Sequence, residues 1–272
     1  MRNCLLVILS ILFLLNPQTI HADITEHTGE DKTLNIVLSD SISTGPEHPI
    51  KYSPYRFTGT DLIVPVTLIS LGIAGLEWKG LKNVNHKVTD ALWGSGHRKI
   101  KIDNFTEYLP AVATYGLNLC GVKGEHDYVD LTIIMGTAYL MMAAIVYPTK
   151  DFVNSPRPYG DPRVNSFPSG HTAWAFTGAE IMRREFWKVS PWIGVSGYLV
   201  ATGTAFLRLY NGAHWLTDVL AGAGIGILCA EAAYWLYPAI TKHLFPKRYN
   251  NNLFLSPTAT RNSFGVAASI VF

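Results

Sequence analysis

An all-α bundle of about six helices is the fold class this sequence predicts, with a short β-hairpin tail at its C-terminal end. Three observations carry the expectation. Six apolar segments of helical length lie between residues 62 and 238. Charged residues make up only 15% of the chain, where about 25% is usual, while hydrophobic residues reach 48%. From residue 253 the hydrophobic period changes from helical to alternating. At 272 residues the chain is sized for one core. Its net charge of +2 supplies no long-range field of the kind that gathers nucleic acid. Any anion binding has to be local.

The elements follow in chain order. Met1-Arg2-Asn3, the apolar run Cys4 to Leu15 and the small residue Ala22 have the order of a secretory signal peptide spanning 1–22. The run of about 12 apolar residues falls short of the roughly 20 of a spanning helix; retained, it would be an anchor. Residues 23–60 form a polar leader containing several Gly and Pro, with one strand-like run at Leu34–Leu38. The helical domain occupies 61–240, with apolar segments at about 62–78, 107–122, 128–148, 170–183, 191–207 and 213–238. The third and sixth are long enough to cross a bilayer, and each carries an aspartate near one end, Asp130 and Asp218. Low charge favours a membrane bundle; the modest mean hydropathy of +0.17 keeps a soluble one as the competing reading. Cys120 and Cys229 lack CxxC or Cys/His spacing, so no disulfide framework or metal site is expected.

Arg183, Arg184 and Lys188 follow the fourth segment, and Lys242, Lys247 and Arg248 the sixth, which the positive-inside rule assigns to the cytoplasm. The opposite ends then face the periplasm. A cleaved signal also leaves Asp23 in the periplasm, from which three full spans lead to the wrong side. One early segment, the run with Pro65 or that around Leu109–Val122, is therefore expected not to span. In the tail, 241–272, Phe264, Val266, Ala268, Ile270 and Phe272 alternate, and Leu253 and Leu255 precede a polar Thr260-Arg261-Asn262 turn. One hairpin cannot close a membrane barrel.

Three motifs carry chemistry. Lys150 and Arg157 flank a stretch ending in Pro156 and Pro158, which forbid a continuing helix and let both cations face one side of a loop. Alone, they would be basic residues snorkelling at a membrane boundary. Phe167-Pro168-Ser169-Gly170-His171 opens an apolar helix, so that free amides and the positive end of the dipole can face an anion beside a histidine. Alone, Ser169 is an ordinary cap. Arg208, His214 and Asp218 form the third. The four-residue step puts His214 and Asp218 on one helix face, where the carboxylate can hold one ring nitrogen while the other acts as nucleophile. A self-satisfied buried pair is the bland reading. Together, Lys-x6-Arg-Pro, Pro-Ser-Gly-His and Arg-x5-His-x3-Asp fix about ten positions, each met by chance about one time in twenty, and accident is negligible.

These motifs resemble those of the type 2 phosphatidic acid phosphatase (PAP2) superfamily, which includes membrane lipid phosphatases, soluble bacterial acid phosphatases and vanadium haloperoxidases. The resemblance covers about residues 60–240. It implies that His214 attacks phosphorus to form a phosphohistidine, with Asp218 orienting its ring. His171 would protonate the leaving oxygen and then activate water. Lys150, Arg157, Arg208 and the amides of Ser169 and Gly170 would stabilise the phosphoryl oxygens without metal or other cofactor. One departure is plain: Leu207 stands where the family usually has a serine. Within the family the signal-like start and apolar composition are similar to those of lipid A phosphatases, which implies a phosphorylated lipid substrate at the periplasmic face of the inner membrane. Undecaprenyl pyrophosphate or phosphatidylglycerophosphate phosphatase, a soluble periplasmic acid phosphatase and, more remotely, a vanadate-dependent peroxidase are alternatives. Elsewhere, His126 and Asp127 are expected to be solvated, and His86, His97 and His243 sit in polar, basic stretches with no partner at ligand spacing. Tyr159 and Trp215 either wall the pocket or serve packing or interfacial anchoring.

Overall fold

The computed structural model describes residues 58–92, 99–160 and 162–244, with the backbone alone of 253–260 and 263–270. The expected signal peptide, the leader up to residue 57 and His97 lie outside the described residues. All six expected segments are helical: α1 (Gly59–Glu77), α4 (Leu109–Leu119), α5 (Tyr128–Val153), α6 (Gly170–Phe186), α7 (Pro191–Tyr210) and α8 (Leu216–Leu244). Two further helices raise the number to eight among the described residues, α2 (Lys79–Leu92) and α3 (Asp103–Thr106). The polar α2 and the single turn α3 have no apolar run to announce them. The hairpin expectation falls on the tail, where the backbone stretches Leu253–Thr260 and Ser263–Ile270 run antiparallel.

Local chemistry sets the boundaries. Asp61 accepts the Thr58 N–H at 3.0 Å and starts α1. Asp127 accepts the Asp130 N–H at 2.9 Å and caps α5, so it is not a free solvated carboxylate. Helix α5 runs past Pro148 to Val153 and stops at Asn154, whose left-handed φ of 48° closes it before Pro156. Lys150 therefore sits on the last turn of a helix and not in the loop beyond it.

Helix α8 is the buried axis, packed by α1, α5 and α6, with α7 against α6. Helices α1, α5 and α8 are long and apolar enough to cross a membrane. Helix α1 runs antiparallel to α8: Asp61 at its start lies 3.4 Å from Arg184 near the end of α6. Gly72 and Gly75, near its end, lie against Ala221 and Thr217 at the start of α8.

The bundle has two chemically distinct ends. At one, Glu180 and Glu231 are buried and bind Arg183 and Arg184, with Arg183 Nε 2.9 Å from Glu180 and Arg184 Nε 2.9 Å from Glu231. These arginines lie within α6 and are neutralised inside the bundle, not displayed beyond it. Nearby, His126 Nδ1 lies 2.8 Å from buried Glu185, to which Tyr234 donates at 2.6 Å, so His126 is engaged and not solvated. Helix α4 has 11 residues, about 16 Å, short of a bilayer. The stretch around it still joins the two ends, from Glu107 near His171 to His126 at Glu185.

Candidate active site

At the other end the three motifs converge on Asn165-Ser166, a pair between the first and second motifs. Ser166 N–H donates to Ser155 O at 2.9 Å, pinning this stretch to the first-motif loop. Lys150 Nζ donates to Asn165 O at 2.8 Å and Arg157 Nε to Asn165 Oδ1 at 3.0 Å, so both cations are held by one residue. Ser166 Oγ donates to Asp218 Oδ2 at 2.5 Å, and His214 Nδ1 lies 2.7 Å from Ser166 O. Trp215 Nε1 donates to Pro156 O at 2.9 Å and joins the third motif to the first. Its ring also packs edge-on to His86, with centroids 4.9 Å apart.

His214 is not on the helix face expected. Gly212 turns the chain with a φ of 59°, and α8 begins only at Leu216. Asp218 reaches back to the Trp215 N–H at 2.9 Å, as a third-position acid does at a helix start. Its Oδ2 is then 3.8 Å from His214 Nδ1, beyond hydrogen-bond range. The Ser166 carbonyl takes the orienting role instead. A carbonyl only accepts, so Nδ1 carries the hydrogen and Nε2 keeps its lone pair. His214 is 2% exposed. Burial first, then the charges of Arg208, Lys150 and Arg157, hold its imidazole well below the ordinary value, in the neutral form a nucleophile needs.

Arg208, on the last turn of α7, is buried and pairs through Nη1 with Asp103 of α3. Asn211 donates to the same carboxylate at 3.2 Å and clamps Ile100 through N–H and C=O at 2.8 and 2.7 Å. Arg208 Nε is buried with no hydrogen-bond partner, a donor available to an incoming oxygen. The second motif departs from expectation in one respect. Ser169 N–H donates to Asp218 O at 3.0 Å, and its hydroxyl pairs with Thr172 Oγ1 at 2.9 Å, so the amide expected to face an anion is already used. Gly170 opens α6 beside it.

His171, on the first turn of α6, has Nε2 3.0 Å from Asn104 Oδ1 and 3.5 Å from Glu107 Oε1. Burial, then Arg208, push its pKa down to about 4; burial pushes Glu107 up to about 7. Arg208, Lys150 and Arg157 act on both imidazoles, which places the three cations around one locus. Tyr159 OH donates to Asp90 at 2.7 Å, away from these groups. Residues 103–107 and 165–166 escaped sequence reasoning. Asn165 and Ser166 could have been flagged by their place just before the second motif, whereas Asp103, Asn104 and Glu107 lie in an unremarkable polar stretch. A buried neutral imidazole, a second imidazole and three cations can together transfer a group that carries negative charge.

Helical bundle and motif site define the class to which the chain is similar: residues 128–242 match the model of the PAP2 superfamily. Within that class, the chain is 34% identical over 177 residues to the lipid A 1-phosphatase of Porphyromonas gingivalis, covering 65% of this chain and 39% of that protein. It is 35% identical to the probable lipid phosphate phosphatase 4 of Arabidopsis thaliana over 32% of this chain and 30% of the relative. It thus spans well under half the length of these relatives. The crystal structure of Aquifex aeolicus LpxE aligns with a TM-score of 0.41 at 25% identity, over 55% of this chain and 94% of that one.

Proposed function

We propose that the chain is a metal-independent phosphatase that hydrolyses a lipid phosphomonoester or pyrophosphate through a phosphohistidine on His214. The observation that carries this reading is the Nδ1–H···O=C bond to Ser166, which leaves His214 Nε2 unprotonated amid Arg208, Lys150 and Arg157. Nε2 attacks phosphorus as the bond to the leaving oxygen breaks, and His171 supplies that oxygen's proton. Water then gives a proton to His171 and displaces His214 from phosphorus. The cations stabilise the transferring phosphoryl oxygens, with Arg208 Nε a donor kept for them. Asp218 holds the Ser166 and Trp215 ends of the turn. Rapid quench with radiolabelled substrate is expected to trap acid-labile phosphate on the wild-type protein and none on His214→Ala. Undiminished phosphate release by that variant would end the reading.

The substrate we infer is lipid A, attacked at the periplasmic face of a bacterial inner membrane. The three long apolar helices support a lipid substrate, and the similarity to the Porphyromonas gingivalis protein supports lipid A within that class. Mass spectrometry of membrane lipids with and without the gene is expected to show lipid A gaining one phosphate when the gene is absent. A change confined to undecaprenyl pyrophosphate or phosphatidylglycerophosphate would reassign the substrate. The alternation over residues 253–272 supports a hairpin tail, which belongs to the same reading.

A further inference from the structure

We propose that Asn104 and Glu107, on the turn formed by α3, are positioning residues for His171, holding its Nε2 so that Nδ1 exchanges the proton with the leaving oxygen. The inference rests on the phosphatase reading and adds a fourth stretch of chain to the site. These residues lie outside the 128–242 segment that matches the superfamily.

Four observations lead to it. Asn104 Oδ1 can only accept, and at 3.0 Å it fixes the hydrogen of His171 on Nε2. Among the described residues Nδ1 has no hydrogen-bond partner, which leaves it for a substrate atom. Glu107 is buried although Phe105 and Tyr108 on the same turn are exposed, so this carboxyl is directed inward against the hydrophobic preference of its neighbours. The turn is also clamped to α7, the helix that carries Arg208: Asp103 pairs with Arg208, and Thr204 Oγ1 donates to Thr106 Oγ1 at 2.8 Å. Substrate cations and His171 are thereby held in one frame.

The electrostatics agree. Arg208 from α7, Lys150 from α5 and Arg157 from the first-motif loop all disfavour a charged His171. From α3, Asp103 favours it but is committed to Arg208, and Glu107, with Tyr108 against it, stands 3.5 Å away. Once ionised, Glu107 is the nearby group best placed to hold His171 as the imidazolium, the form whose Nδ1 proton the leaving oxygen takes and which thereby returns to neutral imidazole. In the second half-reaction the same nitrogen takes a proton from water, and Glu107 itself exchanges none.

The test uses the full chain in detergent micelles and two substrates, short-chain phosphatidic acid and p-nitrophenyl phosphate. The alkoxide of the first needs a proton to leave, whereas nitrophenolate does not. Glu107→Gln and Asn104→Ala are expected to lower kcat on phosphatidic acid by about tenfold or more, with KM little changed, and to affect the nitrophenyl ester far less. His171→Ala is expected to show the same split more strongly, and Glu107→Asp to restore part of the loss. Asn104 is exposed, so its truncation leaves the fold intact. Equal losses on both substrates, or no loss, would overturn the inference. A split for His171→Ala alone would defeat it while sparing the phosphatase reading. A wild-type protein inert on both substrates, or His214→Ala as active as wild type, would defeat the phosphatase reading itself.

Discussion

His171 and Glu107 are displaced in opposite directions, and the signs separate their effects on stability. The folded pKa of His171 lies near 4 against 6.5 unperturbed, so its contribution is fully present above pH 6.5 and is lost as pH falls toward 4. Glu107 lies near 7 against 4.5, so its contribution is present below pH 4.5 and is lost as pH rises through 7. Thermal melts in detergent should show His171→Gln losing less stability than wild type between pH 7 and pH 4.5, by about 1–2 kcal/mol once solvent screening is allowed for. Glu107→Gln should gain relative to wild type as pH rises from 4.5 to 8. Parallel melting curves for all three proteins would contradict both assignments. At this scale the motif side chains were legible because their chemistry is unusual and their spacing restrictive. Ser166 was not, because it orients His214 through a backbone carbonyl, a group every residue has. Reading Asp218 as the orienter assumed a helix that begins two residues too late to include His214.

Between elements, α6 and α8 approach so closely that their contact sets the site. A Cβ on Gly222 of α8 would collide with Ser169 O and stand 3.3 Å from Thr172 Cβ. The obstacle is backbone at the start of α6, which cannot swing aside, so the turn carrying His171 must move. Gly222→Ala is expected to cost about 1–3 kcal/mol and to reduce kcat more than KM. Gly116→Ala on α4, where nothing lies within 4 Å of the new methyl, should be neutral or slightly stabilising. Equal activity for the two variants would show that this contact does not position His171. The six main helices were readable because each needs an apolar stripe. Helix α2 escaped because it is polar overall, with Asn85 as its buried anchor to Thr217 at 2.8 Å. Helix α3 escaped because one turn has no period, and its inward residues are the acids Asp103 and Glu107.

Across the whole molecule, the direction of α1 couples two expectations that the sequence presented separately. Helix α1 enters where Asp61 meets Arg184 and leaves where Gly75 meets Thr217, and the site occupies the latter end. If α1 crosses the bilayer, Thr58 and the site lie on opposite sides. A periplasmic site and a leader released into the periplasm then exclude each other. Charge counting does not choose between them, because Arg183 and Arg184 are neutralised by Glu180 and Glu231, and Lys79, Lys82 and Lys87 of α2 lie toward the site end. Cys120 can. It is exposed at the end of α4, on the side of His126 and Glu185, whereas Cys229 is buried. The 17 residues of α6 separate that end from the site by about 25 Å, close to the thickness of a hydrocarbon core. Exposed Val195 and Leu199 on α7 and Leu140 and Ile145 on α5 provide apolar surface between the two ends. With the site facing the periplasm, a membrane-impermeant maleimide should label Cys120 only after lysis, and Cys120→Ser should remove that signal. Labelling of Cys120 in intact cells would place the site in the cytoplasm and Thr58 in the periplasm.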